Sequence, residues 1–165
     1  MIIRNIEVND AEEFLKFTKL LDEETKFMLY EPNERAVTVG EQTQSFMRIK
    51  KAKDTIFFIA IEGERIIGFV AGMGSSIKRI NHSLSIAIGI LADYQGKGIG
   101  TKLLNRVETW AREHNKQRLE LTVMVHNELA VKLYTKQGFI IEGTKKHSIK
   151  IDNTLIDEYY MAKLL

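Results

Sequence analysis

The chain has 165 residues, the usual length of one globular domain, of which 44% are hydrophobic and 28% charged, so a disordered or fibrous protein is excluded. Its 24 basic and 22 acidic residues leave a formal charge of +2, too small to indicate nucleic-acid binding by bulk electrostatics. The absence of cysteine excludes disulfides, thiolate metal sites and thiol nucleophiles.

The N-terminal residues show no targeting pattern. Residues 1–8 form a short alternating run with Arg4 and Glu7, whereas a signal peptide needs an apolar core. No run reaches the roughly 18 apolar residues of a membrane span. We therefore predict a single domain over residues 1–165, a cytoplasmic location, and neither membrane nor nucleic-acid partners. The four histidines lie far apart in the sequence, so no metal site is predicted.

The first third of the chain predicts a strand, a helix and an irregular segment. Residues 1–8 alternate as a strand does, and apolar residues recur at helical spacing over 14–21. Residues 22–34 are rich in acids and aromatics and contain the only proline, Pro32, so a loop or a broken helix is expected there. A polar helix is predicted to follow, ending near residue 51.

The middle of the chain predicts four strands and one long helix. Apolar runs at 56–61 and 66–72 flank a glycine turn and predict an antiparallel hairpin. A third apolar run at 84–91 leads to the glycine-rich residues 95–100 and then to an amphipathic helix. Residues 119–125 form the next strand, which should pair in parallel with 84–91 because a helical crossover joins the two.

The last part predicts a short helix and a closing hairpin. Asn127 stands at the start of the helix, and Gly138 stands just after its end, where a left-handed cap is usual. Residues 139–151 and 155–161 then read as two strands joined at an Asp-Asn pair, which tolerates the positive φ angles of tight turns.

The glycine-rich segment has the setting of a diphosphate site, because a helix N-terminus offers free N–H groups and about half a positive charge. Three interpretations compete. The P-loop is the weakest, since its spacing is absent. A dinucleotide fingerprint starting at Gly96 needs a third glycine where Thr101 stands, although Glu120 lies about 20 residues on, where a ribose ligand is expected. The antiparallel strands before the turn also disfavour that fold.

The third interpretation is a resemblance carried by two motifs in the right order. One is Q/R-x-x-G-x-G/A in the glycine segment, and the other is N-x-x-A-x-x-L-Y-x-x-x-G-F in the short helix. Together they resemble the GCN5-related N-acetyltransferase (GNAT) superfamily, specifically over residues 84–142 and by order of elements elsewhere. The matching residues are Gln95, Gly98 and Gly100, then Asn127, Ala130, Leu133, Tyr134, Gly138 and Phe139.

The resemblance implies the fold and the way the donor is held. The expected fold is α/β (α+β), the acyl-CoA N-acyltransferase fold, with a mixed, mostly antiparallel sheet of about seven strands flanked by helices. Acetyl-CoA would be the cosubstrate, with its pyrophosphate on the N–H groups of the glycine segment and its arm along the preceding strand. The predicted cofactor-binding residues are Ile88, Gly89, Ile90, Gln95, Gly96, Lys97, Gly98, Ile99, Gly100, Thr101 and Asn127.

Two of these residues carry a local alternative. Gly89, in mid-strand, is consistent with a β-bulge or with a close backbone approach. For Asn127, helix capping alone competes with contact to the cofactor arm.

Two residues are predicted to move protons. Tyr134 occupies the family's general-acid position, and a phenol with a pKa near 10 stays protonated at neutral pH; a packed core tyrosine is the alternative. N-terminal acetyltransferases of the superfamily commonly place a glutamate five residues before Asn127, where this chain has Thr122. Glu120 shares the face of Thr122 by strand alternation and is the predicted base, against the alternative of a salt-bridged surface glutamate.

The acceptor is expected to lie against residues 22–34 and the closing hairpin, which have no cofactor duty. Glu24, Tyr30 and Glu31 are the predicted acceptor-binding residues. His82 and the same two acids, Glu24 and Glu31, are further candidate bases. The acids would suit a cationic amine, although they could equally serve only to keep a loop soluble.

The resemblance therefore implies an N-acetyltransferase acting on a small-molecule or peptide amine by direct attack in a ternary complex, without a metal. Pairing into a homodimer is compatible with the family. The departure at Thr122 keeps open a catalytically silent acyl-CoA sensor or interaction module. A nucleotide-binding oxidoreductase is the third hypothesis.

Overall fold

The computed structural model describes residues 1–165 as a seven-stranded sheet with helices on both faces. Two short 3-10 turns, Val8–Asp10 and Ala92–Tyr94, precede α1 and α3. The strands are β1 (Ile2–Asn5), β2 (Thr55–Glu62), β3 (Arg65–Met73), β4 (Ser83–Ile90), β5 (Arg118–Met124), β6 (Ile140–Ile151) and β7 (Thr154–Leu164). The helices are α1 (Ala11–Glu24), α2 (Val39–Lys51), α3 (Ile99–Glu113) and α4 (Glu128–Lys136).

The sheet has the order β1-β2-β3-β4-β5-β7-β6, and β4 with β5 is its only parallel pair. The predicted mixed, mostly antiparallel sheet is therefore confirmed. The β6–β7 hairpin turns at Asp152 and Asn153, whose φ angles are 47° and 62°. β7 lies between β5 and β6, so the hairpin pairs with the rest of the sheet through its second strand.

The two faces of the sheet are covered by different helices. Side chains from α3 and α4 pack with one face of β2 to β5 and β7 in a core of 17 buried residues. Side chains from α1 and α2 pack with the opposite face of β2 and β3 in a core of 12. We call these the α3 face and the α1 face. On the α1 face, Tyr160 of β7 and Thr122 of β5 remain exposed.

The first strand is shorter than residues 1–8 predict because Asp10 folds the chain back. Its carboxylate accepts two hydrogen bonds from the Arg4 guanidinium, both 2.7 Å, and one from the Glu7 N–H at 2.7 Å. These bonds stabilise the 3-10 turn before α1, so β1 ends at Asn5.

Residues 25–38 form neither helix nor strand, which confirms the irregular segment predicted over 22–34 except at 22–24, which belong to α1. Arg35 anchors this segment to α1 through an ion pair of 2.8 Å with the buried Asp22, and its guanidinium lies 4.3 Å from the centre of the Tyr30 ring. α2 then begins with a capping box between Thr38 and Glu41. Of the helices, none is long and apolar enough to span a bilayer.

Candidate active site

The glycine segment between β4 and α3 is shaped by two left-handed residues. Gly96 and Gly98 have φ angles of 71° and 78°, and a Cβ added at either would meet no atom within 4 Å. The turn therefore opens onto free space, and α3 begins at Ile99. Gln95 fixes the entry to the turn, since its Nε2 donates to the Ile90 carbonyl at 3.0 Å.

The backbone of this segment presents a row of unpaired donors. The N–H groups of residues 96–101 donate to no acceptor within the chain, and the first backbone bond of α3 runs from Lys102 to the Gly98 carbonyl. Six consecutive donors at the positive end of a 15-residue helix make an anion-binding concavity. Lys97 stands at its edge, with Nζ 5.1 Å from the centre of the Tyr94 ring.

The third glycine has a packing role. Gly100 lies inside the first turn of α3, and a Cβ there would come within 2.7 Å of Leu133 Cδ2. Gly100 therefore lets α3 and α4 approach closely. Its only group available to a ligand is the backbone N–H.

The strands β4 and β5 separate beside this concavity. Their pairing covers only Ser83 to Ser85 on β4 and Arg118 to Glu120 on β5. Beyond Ser85, β4 continues its pairing with β3 alone, so the edge of Ile88, Gly89 and Ile90 that faces β5 has no strand partner. This gap leads directly to the glycine segment.

Gly89 makes room for side chains on the α1 face, a role that the sequence did not suggest. The register of β3 and β4 is uninterrupted from Gly68 to Met73, so no β-bulge occurs at Gly89. A Cβ there would lie 2.6 Å from Leu21 Cδ2 and 2.7 Å from Phe69 Cε1. The glycine therefore makes room for Leu21 of α1 and Phe69 of β3 on the α1 face.

Tyr134 lies in α4, buried in the core of the α3 face with its ring 5.9 Å from that of Phe139. Burial raises the pKa of the Tyr134 phenol, so the proton is retained. Burial is the only influence on this pKa, and no buried side-chain oxygen in the structure lacks a partner. With no hydrogen-bond partner in the chain, the hydroxyl oxygen must reach the surface.

Asn127 caps α4, as predicted from its position. Its Oδ1 accepts a hydrogen bond of 3.2 Å from the Ala130 N–H. Its amide nitrogen has no partner in the chain and is free to donate to a ligand. At the other end of α4, Gly138 has a φ of 88° and forms the left-handed cap.

The geometry disfavours Glu120 as a direct base. Its carboxylate is 2.7 Å from Arg118 Nε, and the same guanidinium binds Glu142 of β6 with a 2.9 Å hydrogen bond. Glu120 is also the last β5 residue paired with β4, at the level of Ser85. It lies three residues, about 10 Å, before the level of Ile88.

The predicted acceptor segment makes two contacts with the half of the sheet that contains β5, β6 and β7. Lys26 forms an ion pair with Asp152 at the tip of the β6–β7 hairpin, and the Phe27 ring lies 5.2 Å from that of His126 after β5. These two contacts bring residues 26 and 27 to the hairpin turn and to the end of β5, while Tyr30 and Arg35 stay beside Asp22 of α1.

The three predicted acceptor-binding residues are not brought together as a set. Glu24 accepts the Ala92 N–H at 2.9 Å, which ties α1 to the end of β4. Tyr30 packs under Arg35, and Glu31 is exposed. The predicted candidate His82 lies before β4, where its carbonyl binds the Gln117 N–H, at the far end of the parallel pair from the glycine segment.

One carboxylate on this face carries no distinguishing sequence pattern. Glu158 of β7 is 8% exposed and pairs with Met124 of β5, on the same face as Thr122 and Tyr160. An acid within the alternating run of an ordinary strand gives no sign of burial. Only the order of the strands brings it beside the end of β5.

A separated parallel pair beside a row of free N–H groups is the arrangement that the resemblance to acyltransferases predicts. The chain matches the family model described as the acetyltransferase (GNAT) family over residues 17–139. The chain therefore belongs to that family, and the family and fold predicted from its two motifs are confirmed.

Similar proteins agree with this assignment. L-amino acid N-acetyltransferase AaaT of Escherichia coli is 33% identical over 90 residues, which span 52% of this chain and 54% of that protein. The chain thus aligns with only about half the length of this relative. A GNAT-family acetyltransferase structure from Streptococcus pneumoniae is 31% identical, covers 99% of both chains and superposes with a TM-score of 0.95.

A third structure shares the fold with little sequence identity. It is a GNAT phosphinothricin acetyltransferase from Sinorhizobium meliloti in complex with acetyl-CoA, 16% identical, with a TM-score of 0.85 over 99% of this chain and 88% of that one.

Proposed function

We propose that this protein is an acetyl-CoA-dependent N-acetyltransferase that transfers the acetyl group to a primary amine by direct attack in a ternary complex. The observation that carries the proposal is the row of six unpaired N–H groups at residues 96–101, which lies at the end of the gap between β4 and β5. Such a row fits a pyrophosphate, and the gap fits an extended arm bound along a strand edge.

The residues present fit each part of the donor. Gly96 and Gly98 leave open space at the row of donors, so an anion can approach the backbone. A backbone N–H on the free edge of β4, among Ile88, Gly89 and Ile90, would donate to the thioester oxygen as charge develops. Loss of one such donor typically costs about 3 kcal/mol of transition-state stabilisation.

Tyr134 would supply the proton that the departing thiolate needs. Its buried phenol retains a proton, and its hydroxyl is free of protein partners. Asn127, with a free amide nitrogen, would hold the arm near that hydroxyl. These roles use groups that the fold leaves without another hydrogen-bonding partner.

The acceptor would enter from the α1 face, between residues 25–34 and the β6–β7 hairpin. The relative named for L-amino acids makes α-amines the first class to test. Small amines and peptide N-termini are the alternatives within the same proposal.

The silent acyl-CoA-binding module is the second candidate, because the position five residues before Asn127 is Thr122 and Glu120 is held by Arg118. The oxidoreductase is excluded, because the sheet has a single parallel pair and the chain belongs to the GNAT family.

Calorimetry followed by a thiol-release assay tests the function. We expect acetyl-CoA and CoA to bind and NAD not to bind, and we expect thiol release with at least one member of a panel of L-amino acids, polyamines, aminoglycosides and a short peptide. Binding without turnover of any panel member would favour the silent module. Binding of NAD alone would overturn the proposal.

A further inference from the structure

Four polar or charged residues are buried, and three have an evident structural role. Asp22 is paired with Arg35, Thr18 donates to a carbonyl of its own helix, and Lys116 donates to a loop carbonyl at 2.7 Å. Glu158 is the fourth. It lies on the face that the acceptor would approach, and no protein cation holds both of its oxygens.

The two oxygens of Glu158 have different surroundings. Oε2 accepts a 2.7 Å hydrogen bond from the Ser148 hydroxyl and lies 3.6 Å from Lys145 Nζ. Oε1 has no donor in the chain. Because no buried side-chain oxygen in the structure lacks a partner, Oε1 must reach the surface. The carboxylate is thus fixed through one oxygen and open through the other.

An irregularity in β6 places Ser148 on this carboxylate. Lys145 pairs with Glu158 and Ile149 with Ile156, so β6 has two more residues than β7 in this interval. His147 adopts a φ of 51°, uncommon for a residue other than glycine, and its N–H donates to Asp157 at 2.8 Å. The extra residues turn Ser148 toward Glu158, and such devices are frequent beside active sites.

The register places Glu158 at the level of the proposed reaction. Ser85 pairs with Glu120, so Gly89 and Met124 are each four residues further along their strands. Met124 pairs with Glu158. Glu158 therefore stands level with the free edge of β4 that would hold the thioester, whereas Glu120 lies about 13 Å below that level.

We propose that Glu158 is the general base for the acceptor, an inference that rests on the proposed acetyltransferase function. Oε1 takes one proton from the substrate ammonium, directly or through one water, and the free amine attacks the thioester carbonyl. The C–S bond breaks, and the thiolate takes the Tyr134 proton. The nitrogen then loses its second proton to solvent, and Tyr134 takes a proton back from solvent. Glu158 later releases its proton to solvent, so one proton is released for each acetyl group transferred.

The strand register places three charged or titratable residues near Glu158. Lys145 of β6 is its register partner, with Nζ 3.6 Å from Oε2, and Tyr160 lies two residues along β7 on the same face. His126 lies two residues beyond Met124, the β5 partner of Glu158. From residues 25–34, the Phe27 ring contacts the His126 ring.

The test is the pH dependence of kcat/KM for the wild type and Glu158→Gln, with each amine of the panel that the wild type acetylates. An amine with a pKa near 10 is mostly protonated at pH 7. We expect the variant to lose about a hundredfold at pH 7 and to recover tenfold for each pH unit toward the amine pKa, because only the free amine then reacts.

Three further proteins complete the experiment. Glu158→Asp should keep the pH profile of the wild type at a lower rate, since it retains a carboxylate. Glu142→Gln, on the neighbouring strand, is the control and should keep both rate and profile. Calorimetry with acetyl-CoA should show unchanged affinity in all of them. If Glu158→Gln does not fold, Ser148→Ala, which removes the Oε2 donor, replaces it, and a loss of kcat/KM by the same factor at every pH would count against the role of Glu158.

The outcomes separate the two proposals. A wild type that acetylates no amine overturns the proposed function and this inference with it. An active wild type whose Glu158→Gln variant loses nothing, or loses the same factor at every pH, overturns the role of Glu158 alone, since a structural role does not depend on the state of the amine.

Discussion

Tyr134 shows how one residue serves both packing and chemistry. Its ring belongs to the core of the α3 face, and the same burial raises the pKa of its phenol. The alternatives of core tyrosine and general acid, both open from the sequence, are therefore compatible. The core role is observed, and the acid role remains a prediction.

Replacing Tyr134 by phenylalanine removes the hydroxyl and leaves the ring. We expect kcat to fall about a hundredfold with unchanged affinity for acetyl-CoA, because only the proton donor is lost. The raised pKa also means that the phenol stays protonated as the pH rises, so the wild-type rate should not fall through tyrosine ionisation below about pH 10. Steady-state kinetics from pH 6 to 10 measure both effects. An unchanged kcat in the variant would exclude Tyr134 as the acid.

Glu120 shows the limit of strand alternation at the residue scale. Alternation correctly placed Glu120 on the face of Thr122. Alternation could not show that Arg118 pairs with both Glu120 and Glu142, because Glu142 lies on another strand, 22 residues after Glu120 in the chain.

At the scale of elements, the turn into α3 divides its glycines between two roles. Gly98 adopts a left-handed φ angle and leaves open space beside the turn, whereas Gly100 allows Leu133 of α4 to pack against α3. The motif alone treats them alike. The structure separates them because open space lies next to Gly98, whereas the Leu133 side chain lies next to Gly100.

Alanine substitutions should distinguish the two glycines. Gly98→Ala should lower the stability by about 1 kcal/mol and weaken acetyl-CoA binding at least tenfold, because its Cβ enters the open space before the donors. Gly100→Ala should lower the stability by about 1–2 kcal/mol through the contact with Leu133 while affecting affinity less. Urea unfolding and calorimetry measure the two quantities. Equal losses of affinity would contradict the division.

At the scale of the whole molecule, the proposed cofactor site joins elements that are otherwise separate. The gap between β4 and β5 leaves a strand edge unpaired, and the glycine segment leaves six donors unpaired. Water satisfies the exposed donors in the free protein, and a ligand that replaces this water binds the folded state alone.

Acetyl-CoA should therefore stabilise the protein against heat. At a ligand concentration one hundred times Kd, binding contributes about 2.7 kcal/mol, which for a chain of this size raises Tm by about 5–11 °C. Amide exchange at residues 96–101 should slow in the same complex. Differential scanning calorimetry and hydrogen exchange measure these effects, with NAD as the control ligand. A shift in Tm without protection of these amides would place the ligand elsewhere.

The sequence by itself determined the order of the elements, the parallel pair, the closing hairpin and the family. These follow from signals that are local in the chain: apolar periodicity, turn residues and two contiguous motifs. The N–H groups of residues 96–101 belong to this class, because a glycine turn before a helix creates them without help from distant residues.

Only the tertiary structure decided which carboxylates are free. Arg118 forms an ion pair with Glu120, and the Ala92 N–H donates to one oxygen of Glu24. The irregular β6 directs the Ser148 hydroxyl to Glu158. Each contact joins strands or helices whose alignment depends on strand order and register. The donor site is therefore readable from a short stretch of backbone, whereas the acceptor side is built from side chains that meet only when the sheet is assembled.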